Sequence, residues 1–260
     1  MSDTSVTFEK KGAIGYITLN RPPANSYEIT FMQAMDAAID AANSDDEVKA
    51  VIMRSASETF FSAGADIKAF TANSTEDNMK MVAVAHKALG KMAESPKIFI
   101  AAINGHALGG GFEMALACDL RFAAEGEYRI GLPEVTLGLL PGNGGTQRLP
   151  RLIGTNKALE LMITGKTLMP AEALALGMIN NIFPADELME QTEKFASRLA
   201  SGATRAIGDI KKAVYRGMEL NLQDGLALER ELVGPLFDSS DAQEGLSAFV
   251  EKRKPKYTGK

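Results

Sequence analysis

The sequence has a single cysteine, Cys118, among 260 residues. No intrachain disulfide can form, and a reducing compartment, the cytoplasm, is the expected location. Histidines are scarce too. With only His86 and His106 beside that one cysteine, a zinc centre of the His/Cys kind is not expected. Long apolar runs are missing, and no stretch approaches the ~20 residues that a membrane span requires. The start, MSDTSVTFEK, is polar and carries neither a signal-peptide core nor an Arg-rich transit pattern. Nor is there an excess of charge of one sign. The 28 basic and 33 acidic residues leave a net charge of −5, which argues against nucleic acid or anionic lipid as the main partner. No G-x-S-x-G elbow is present, which removes the α/β-hydrolase reading. No Walker-type glycine loop is present either.

What is present is enough apolar material for a large core, since 45% of the residues are hydrophobic. The first third alternates strands and helices. Val6–Lys10 and Ala13–Leu19 read as strands around a Lys11-Gly12 turn. A helix is expected from near Asn25, with Asn25 and Glu28 at capping-box spacing and Tyr27, Phe31, Met35, Ala38, Ile39 and Ala42 on one face. Val48–Arg54 and Ile98–Ile103 read as buried strands. Between them, the segment from Asp77 to Ala93 reads as a helix with Met79, Val82, His86, Leu89 and Ala93 on its apolar stripe. This rhythm predicts an α/β class with helices packed on sheet. From about Thr155 the pattern reads as helical. Three late helices are expected at Thr204–Leu220, Leu222–Phe237 and Ser240–Arg253. The middle one is apolar on more than one face, so it needs either burial in its own chain or another subunit.

Three turns carry the candidate chemistry. Strand IFIAAI runs through Asn104-Gly105 into Gly109-Gly110-Gly111 and a helix beginning Phe112-Glu113. Free N–H groups at such a helix start bind anions or developing oxyanions, although a tight turn without a ligand explains the glycines equally well. G-x-G-x-x-G spacing is absent, which weakens a dinucleotide reading. Glu113 is either a first-turn acid favoured by the helix dipole or a general acid or base beside a polarised carbonyl. Glu134, in Gly131-Leu132-Pro133-Glu134, precedes a second glycine-rich helix start at Pro141-Gly142-Asn143-Gly144-Gly145. Ser62-Ala63-Gly64-Ala65-Asp66 is the third small-residue turn. His86 reads as a core or interface residue, and His106 has no visible partner for proton transfer.

Together these segments resemble the enoyl-CoA hydratase/isomerase (crotonase) family. The likeness runs from ITLNRPPAN (Ile17–Asn25) to AFVEKRKPKY (Ala248–Tyr257). Its most specific parts are FSAGADIKAF, INGHALGGGFEMALACDLR and GLPEVTLGLLPGNGGTQRLPRLIG. The resemblance implies a crotonase spiral of strand–strand–helix units over residues 1–200 and a helical trimerisation region over 201–260, assembled as a homotrimer or a dimer of trimers. It implies an oxyanion hole from the N–H groups of Ala65 and Gly110, and catalysis by Glu113 and Glu134. Substrate and CoA contacts are implied at Ala24, Ala63, Asp66, Ile67, Lys68, Gly142 and Lys252. Gly142 would help place the water, and Lys252 would reach a neighbouring subunit.

The implied activity is hydration of a 2-enoyl-CoA to a 3-hydroxyacyl-CoA, as in fatty acid β-oxidation. The CoA thioester is the substrate and no other cofactor is implied. Family isomerases keep a glutamate at the Glu134 position and lack the one at Glu113, so both together favour a hydratase. The alternatives are a Δ3-Δ2-enoyl-CoA isomerase, a hydratase of a cyclic or aromatic-pathway acyl-CoA, or a non-catalytic acyl-CoA- or RNA-binding protein of the same fold. Three positions depart from the family pattern. Ser26-Tyr27 stands where Ala-Leu is more usual, Asp119–Glu134 is one residue longer, and Phe112 is bulky where a small residue is frequent.

Overall fold

The computed structural model describes residues 5–260. Met1–Thr4, part of the polar start read above, lie outside the described residues. Strands β1 (Val6–Lys11) and β2 (Ile14–Leu19) pair antiparallel about the expected turn. Helix α1 (Ile29–Ser44) leads to β3 (Ala50–Ser55), which joins β2 in parallel. From here the chain repeats one move: a strand enters a long sheet, a short strand enters a second sheet, and a helix follows. β3 is followed by β4 (Phe60–Ser62), then by α2 (Ile67–Ala72) and α3 (Thr75–Glu94). β5 (Ile98–Ile103) is followed by β6 (His106–Leu108) and α4 (Gly110–Ala117). β7 (Leu120–Ala124) is followed by β8 (Ile130–Gly131), a 3₁₀ turn at Glu134–Leu137 and α5 (Gly145–Ile153). After α6 (Thr155–Thr164) and α7 (Pro170–Ala175), β9 (Asn181–Phe183) closes the long sheet.

The long sheet has the order β1-β2-β3-β5-β7-β9 and the short one β4-β6-β8. Beyond the β1–β2 hairpin the named strands of the described residues pair in parallel, and one isolated antiparallel bridge joins Ile130 to Leu168. Parallel strands covered on both faces read as continuous apolar runs. AVIM of β3 and FIAAI of β5 are such runs and are buried throughout. Helix α8 (Leu188–Ala200) packs across β2, β3, β5 and β7. No helix among the described residues is long and apolar enough to cross a membrane.

Four local expectations need correction. Asn25 does not cap α1. The helix starts four residues later, and Glu28 precedes it without a side-chain cap. Asn25 instead sits at φ +50 and is 1% exposed. Its Oδ1 accepts from Arg21 N (2.7 Å), and its Nδ2 donates to Ser55 Oγ (2.8 Å) and Phe61 O (3.0 Å). Those bonds tie the Pro22-Pro23 loop to the ends of both sheets, a use that competes with capping. The buried face of α3 is Met81, Ala85, Ala88, Leu89 and Met92, while Met79 lies exposed. His86 is exposed, not in the core, and its Nε2 meets Gly142 O at 2.6 Å. Finally, β9 interrupts the region that reads as all-helical, pairing with β7.

The late helices α9 (Thr204–Gly217), α10 (Leu222–Phe237) and α11 (Ser240–Val250) follow the expected ranges closely. α9 is anchored where Lys211 Nζ donates to Asp119 Oδ2 (2.8 Å) and to the carbonyls of Met92 (2.6 Å) and Lys97 (2.8 Å). α10 buries no residue within its own chain. Leu222, Phe237, Phe249 and Val250 stand in solvent, so burial within the chain does not account for its second apolar face.

Candidate active site

The short sheet positions the site. β4 and β6 run parallel and end side by side at Ser62 and Leu108. Each then turns through a glycine with positive φ, Gly64 at +88 and Gly109 at +54. The turns pack closely. A methyl group added at Gly64 would sit 2.8 Å from Leu108 O and 3.2 Å from Gly110 N. Only glycine combines that φ with that approach.

Two backbone N–H groups are left over at this junction. Tyr27 N donates to Gly64 O (2.9 Å) and Asp66 N donates to Tyr27 O (2.8 Å). That parallel bridge engages the residues on either side of Ala65 and leaves the Ala65 N–H without an acceptor among the described residues. Gly110 opens α4, so its N–H has no partner inside the helix. The junction therefore offers two unclaimed donors at a helix N-terminus, the equipment for holding a developing oxyanion.

Two glutamates lie beside these donors in contrasting settings. Glu113, in the first turn of α4, is 1% exposed. Its Oε1 accepts from Asn143 N and Gly145 N, both at 2.7 Å. Burial raises its pKa on balance, and the Gly145 and Asn143 N–H groups and the nearby Arg148 charge offset only part of that rise. Glu134 opens the 3₁₀ turn and lays its carboxyl over Gly109, where an added methyl would be 3.1 Å from Oε1. Both Glu134 oxygens are buried and have no hydrogen-bond partner. Burial, with a contribution from the Glu113 charge, lifts its pKa to about 7. Hydrogen bonds to a carboxylate favour its ionised form, and burial without them favours the acid. Burial raises the pKa of both carboxyls, but only Glu113 has N–H donors that favour its carboxylate, the contrast that suits one base and one acid. The longer Asp119–Glu134 segment does not keep Glu134 from this turn.

The family pattern described as Enoyl-CoA hydratase/isomerase matches residues 9–260. The chain belongs to the enoyl-CoA hydratase/isomerase family. It is 39% identical over 255 residues to the short-chain-enoyl-CoA hydratase of Clostridium acetobutylicum, covering 98% of this chain and 97% of that one. Among crystal structures, an enoyl-CoA hydratase of Geobacillus kaustophilus superimposes with a TM-score of 0.97 at 45% identity, covering 100% of this chain and 98% of that one. An enoyl-CoA hydratase of Bacillus anthracis superimposes at 0.94 with 36% identity, covering 98% and 100%. The spiral of strand–strand–helix units that the resemblance implies is thus this family's fold.

The remaining predicted site residues fall into two groups. Ala24, Ala63, Asp66, Ile67 and Lys68 come together around the first turn of this crotonase-family site. Ala63 N donates to Ala24 O (2.9 Å). Asp66 caps α2 by accepting from Lys68 N (3.1 Å) and Ala69 N (3.3 Å), and it pairs with Arg21 (2.9 Å). Ile67 and Lys68 face solvent. Gly142 lies one residue before Asn143, so it adjoins the loop that binds Glu113. Lys252 makes no hydrogen bond or ion pair with them among the described residues. It follows α11 at φ +54, and its neighbour Arg253 is bonded to Glu244 and Glu251.

Reading by sequence missed two members of the site. Asn143 looked like part of a glycine-rich turn, yet its N–H binds Glu113 and its Oδ1/Nδ2 amide reaches the Tyr27 hydroxyl at 2.5 Å. Tyr27 looked like a core position of α1. The one available signal was its departure from the family's usual leucine. Phe112, the other bulky departure, points into the core and is fully buried. His106 packs at a tilt against Phe60 and edge-on to Tyr128, and its Nδ1 accepts from Arg129 N at 3.1 Å, a packing role in the short sheet.

Proposed function

We propose that this chain is an enoyl-CoA hydratase, which adds water across the 2,3 double bond of a 2-enoyl-CoA to give a 3-hydroxyacyl-CoA. The observation that carries this reading is the contrasting hydrogen bonding of the two buried glutamates beside two unclaimed amides. The thioester oxygen accepts from Ala65 N–H and Gly110 N–H. Glu113, whose carboxylate form the two N–H donors favour against the effect of burial, takes a proton from water as the water oxygen bonds to C3. The π electrons move toward the thioester, and the charge that builds on its oxygen is held by the two donors, each worth about 3 kcal/mol in a site of this kind. Glu134, as the acid, then protonates C2. Glu113 ends protonated and Glu134 ionised, and exchange with solvent resets the pair. The reaction draws on the thioester and water alone. The CoA moiety lies along Ala24, Ala63 and Asp66, with Ile67 and Lys68 at the solvent side, and Gly142 beside the water.

Loss of enoyl-thioester absorbance on incubation with crotonyl-CoA tests this directly, with rapid hydration as the expected result. The alkaline limb of kcat/KM is expected near pH 7, because activity that needs the protonated form of Glu134 is present below its pKa of about 7 and is lost above it. A protein that isomerises 3-enoyl-CoA but leaves crotonyl-CoA unhydrated is an isomerase, and the proposal fails.

The assembly is proposed to be a homotrimer or a dimer of trimers. Support comes from the unburied α10 and the solvent-exposed Leu222, Phe237, Phe249 and Val250, an apolar surface that isolated chains rarely carry. In that arrangement Lys252 reaches the CoA of a neighbouring copy. Sedimentation is expected to give a particle of three or six chains, and a monomer at micromolar concentration overturns this.

A further inference from the structure

Tyr27 joins the two halves of the site. Its backbone makes both bonds of the bridge that frames Ala65. Its ring is 4% exposed and packs at a tilt against Phe31, with centroids 6.4 Å apart. Its hydroxyl lies against Gly110, where an added methyl group would run into it. The same oxygen accepts from Asn143 Nδ2 (2.5 Å), and Asn143 is itself buried. Asn143 has two further bonds: its N–H donates to Glu113 Oε1 (2.7 Å), and its carbonyl accepts from Arg148 (2.8 Å). The path from phenol to glutamate therefore runs through one residue. Burial and the charges of Glu113 and then Glu134 push the phenol pKa up, so the ring stays neutral beside them. Leucine, the more usual residue here in the family, fills space but offers Asn143 no acceptor.

We propose that Tyr27 is a positioning residue for Glu113: its phenol fixes the Asn143 side chain, and so holds the 143–145 loop in the place where its two N–H groups bind the Glu113 carboxylate. The proposal rests on the reading of Glu113 as the base. Removing the hydroxyl leaves a buried amide donor without its partner, which costs more than the bond it made. The loop shifts to satisfy that group. Glu113 then loses part of the N–H donation that favours its ionised form, and its pKa rises.

The test is the pH profile of Tyr27→Phe, which keeps the ring and removes one oxygen. Hydration is expected to lose about 10- to 100-fold in kcat, the scale of a small misplacement of a reacting group, with KM changed less than about twofold. The acid limb of kcat is expected to move to higher pH. A residue that only stabilises the fold would lower the melting temperature without moving that limb. Asn143→Ala breaks the same bond from the other side and should move the limb the same way. The double variant should lose no more than the worse single one, because the two act on one path. Wild-type kcat with an unmoved limb in Tyr27→Phe, or losses that multiply in the double variant, overturn the proposal. If Tyr27→Phe does not fold, the limb of Asn143→Ala decides. Glu113→Gln separates the two readings. Near-normal hydration in Glu113→Gln removes the base itself, whereas an inactive Glu113→Gln beside a normal Tyr27→Phe removes only the role of Tyr27.

Discussion

Glu113→Gln and Glu134→Gln are each expected to lower kcat for hydration by about two to four orders of magnitude, the range assigned to a positioned acid or base. Both substitutions are nearly isosteric, so the fold should persist, but they act differently. In Glu113→Gln the amide oxygen still accepts from Asn143 N–H and Gly145 N–H, so the loop keeps its place and only basicity is lost. In Glu134→Gln no hydrogen bond is broken, because neither carboxyl oxygen has one. Its effect on stability has a definite sign. The folded pKa of Glu134, about 7, lies above its ordinary 4.5. The folded state therefore binds more proton than the unfolded state between those values, and stability falls as pH rises through that window. Glu134→Gln removes this part of the slope, so its melting temperature should depend less on pH between about 4.5 and 7 than that of the wild type. Near-normal turnover in both variants would refute the two-glutamate mechanism. An unchanged thermal slope in Glu134→Gln would refute the burial argument alone.

Gly111→Ala is expected to be nearly as damaging, through geometry and not through chemistry. Gly111 lies in the first turn of α4, where a methyl group would run into the backbone carbonyl of Ser62. Ser62 cannot give way easily. It pairs with Ala107 in the short sheet, and its hydroxyl donates to Asn25 O (2.8 Å). The helix must lift instead, and the Gly110 N–H moves away from the Ala65 N–H. Overpacking of this kind costs about 1–3 kcal/mol. Displacing one oxyanion donor costs roughly 100-fold or more in kcat. Gly90→Ala serves as the control. It lies within α3 with nothing within 4 Å of the added methyl group, and helix propensity favours it by about 1 kcal/mol. Full activity in Gly111→Ala would show that the close approach of α4 to β4 is not needed for the oxyanion site.

Apolar periodicity made much of the fold readable. The β1–β2 hairpin, the buried strands β3 and β5, and the range of α10 all follow from local pattern, because strand alternation and helix stripes are properties of neighbouring residues. The failures share a cause. Asn25 has the spacing of a cap, but its side chain is taken by partners 30 and 36 positions away. The stripe on α3 is misplaced because Met79 and Met81 are equally apolar and only the packing partner selects between them. β9 is three residues long, too short for its own pattern to show, and exists because β7 leaves an edge for it to pair with.

The candidate site divides along the same line. The order and spacing of the three small-residue turns, with Glu113 and Glu134 among them, sufficed to point to the family. What sequence could not supply is the difference between the two glutamates, since both are the same side chain with the same intrinsic acidity. Tertiary structure decides it. Residues 30 and 32 positions beyond Glu113 bring N–H groups to its carboxylate, while Glu134 is buried with none. Protonation depends on solvation and on hydrogen-bond partners, and both are set by distant chain segments meeting in space. Tyr27 shows the same physics: an apolar-face position by periodicity, it became part of the site only when folding placed its one polar atom against Asn143 and Gly110.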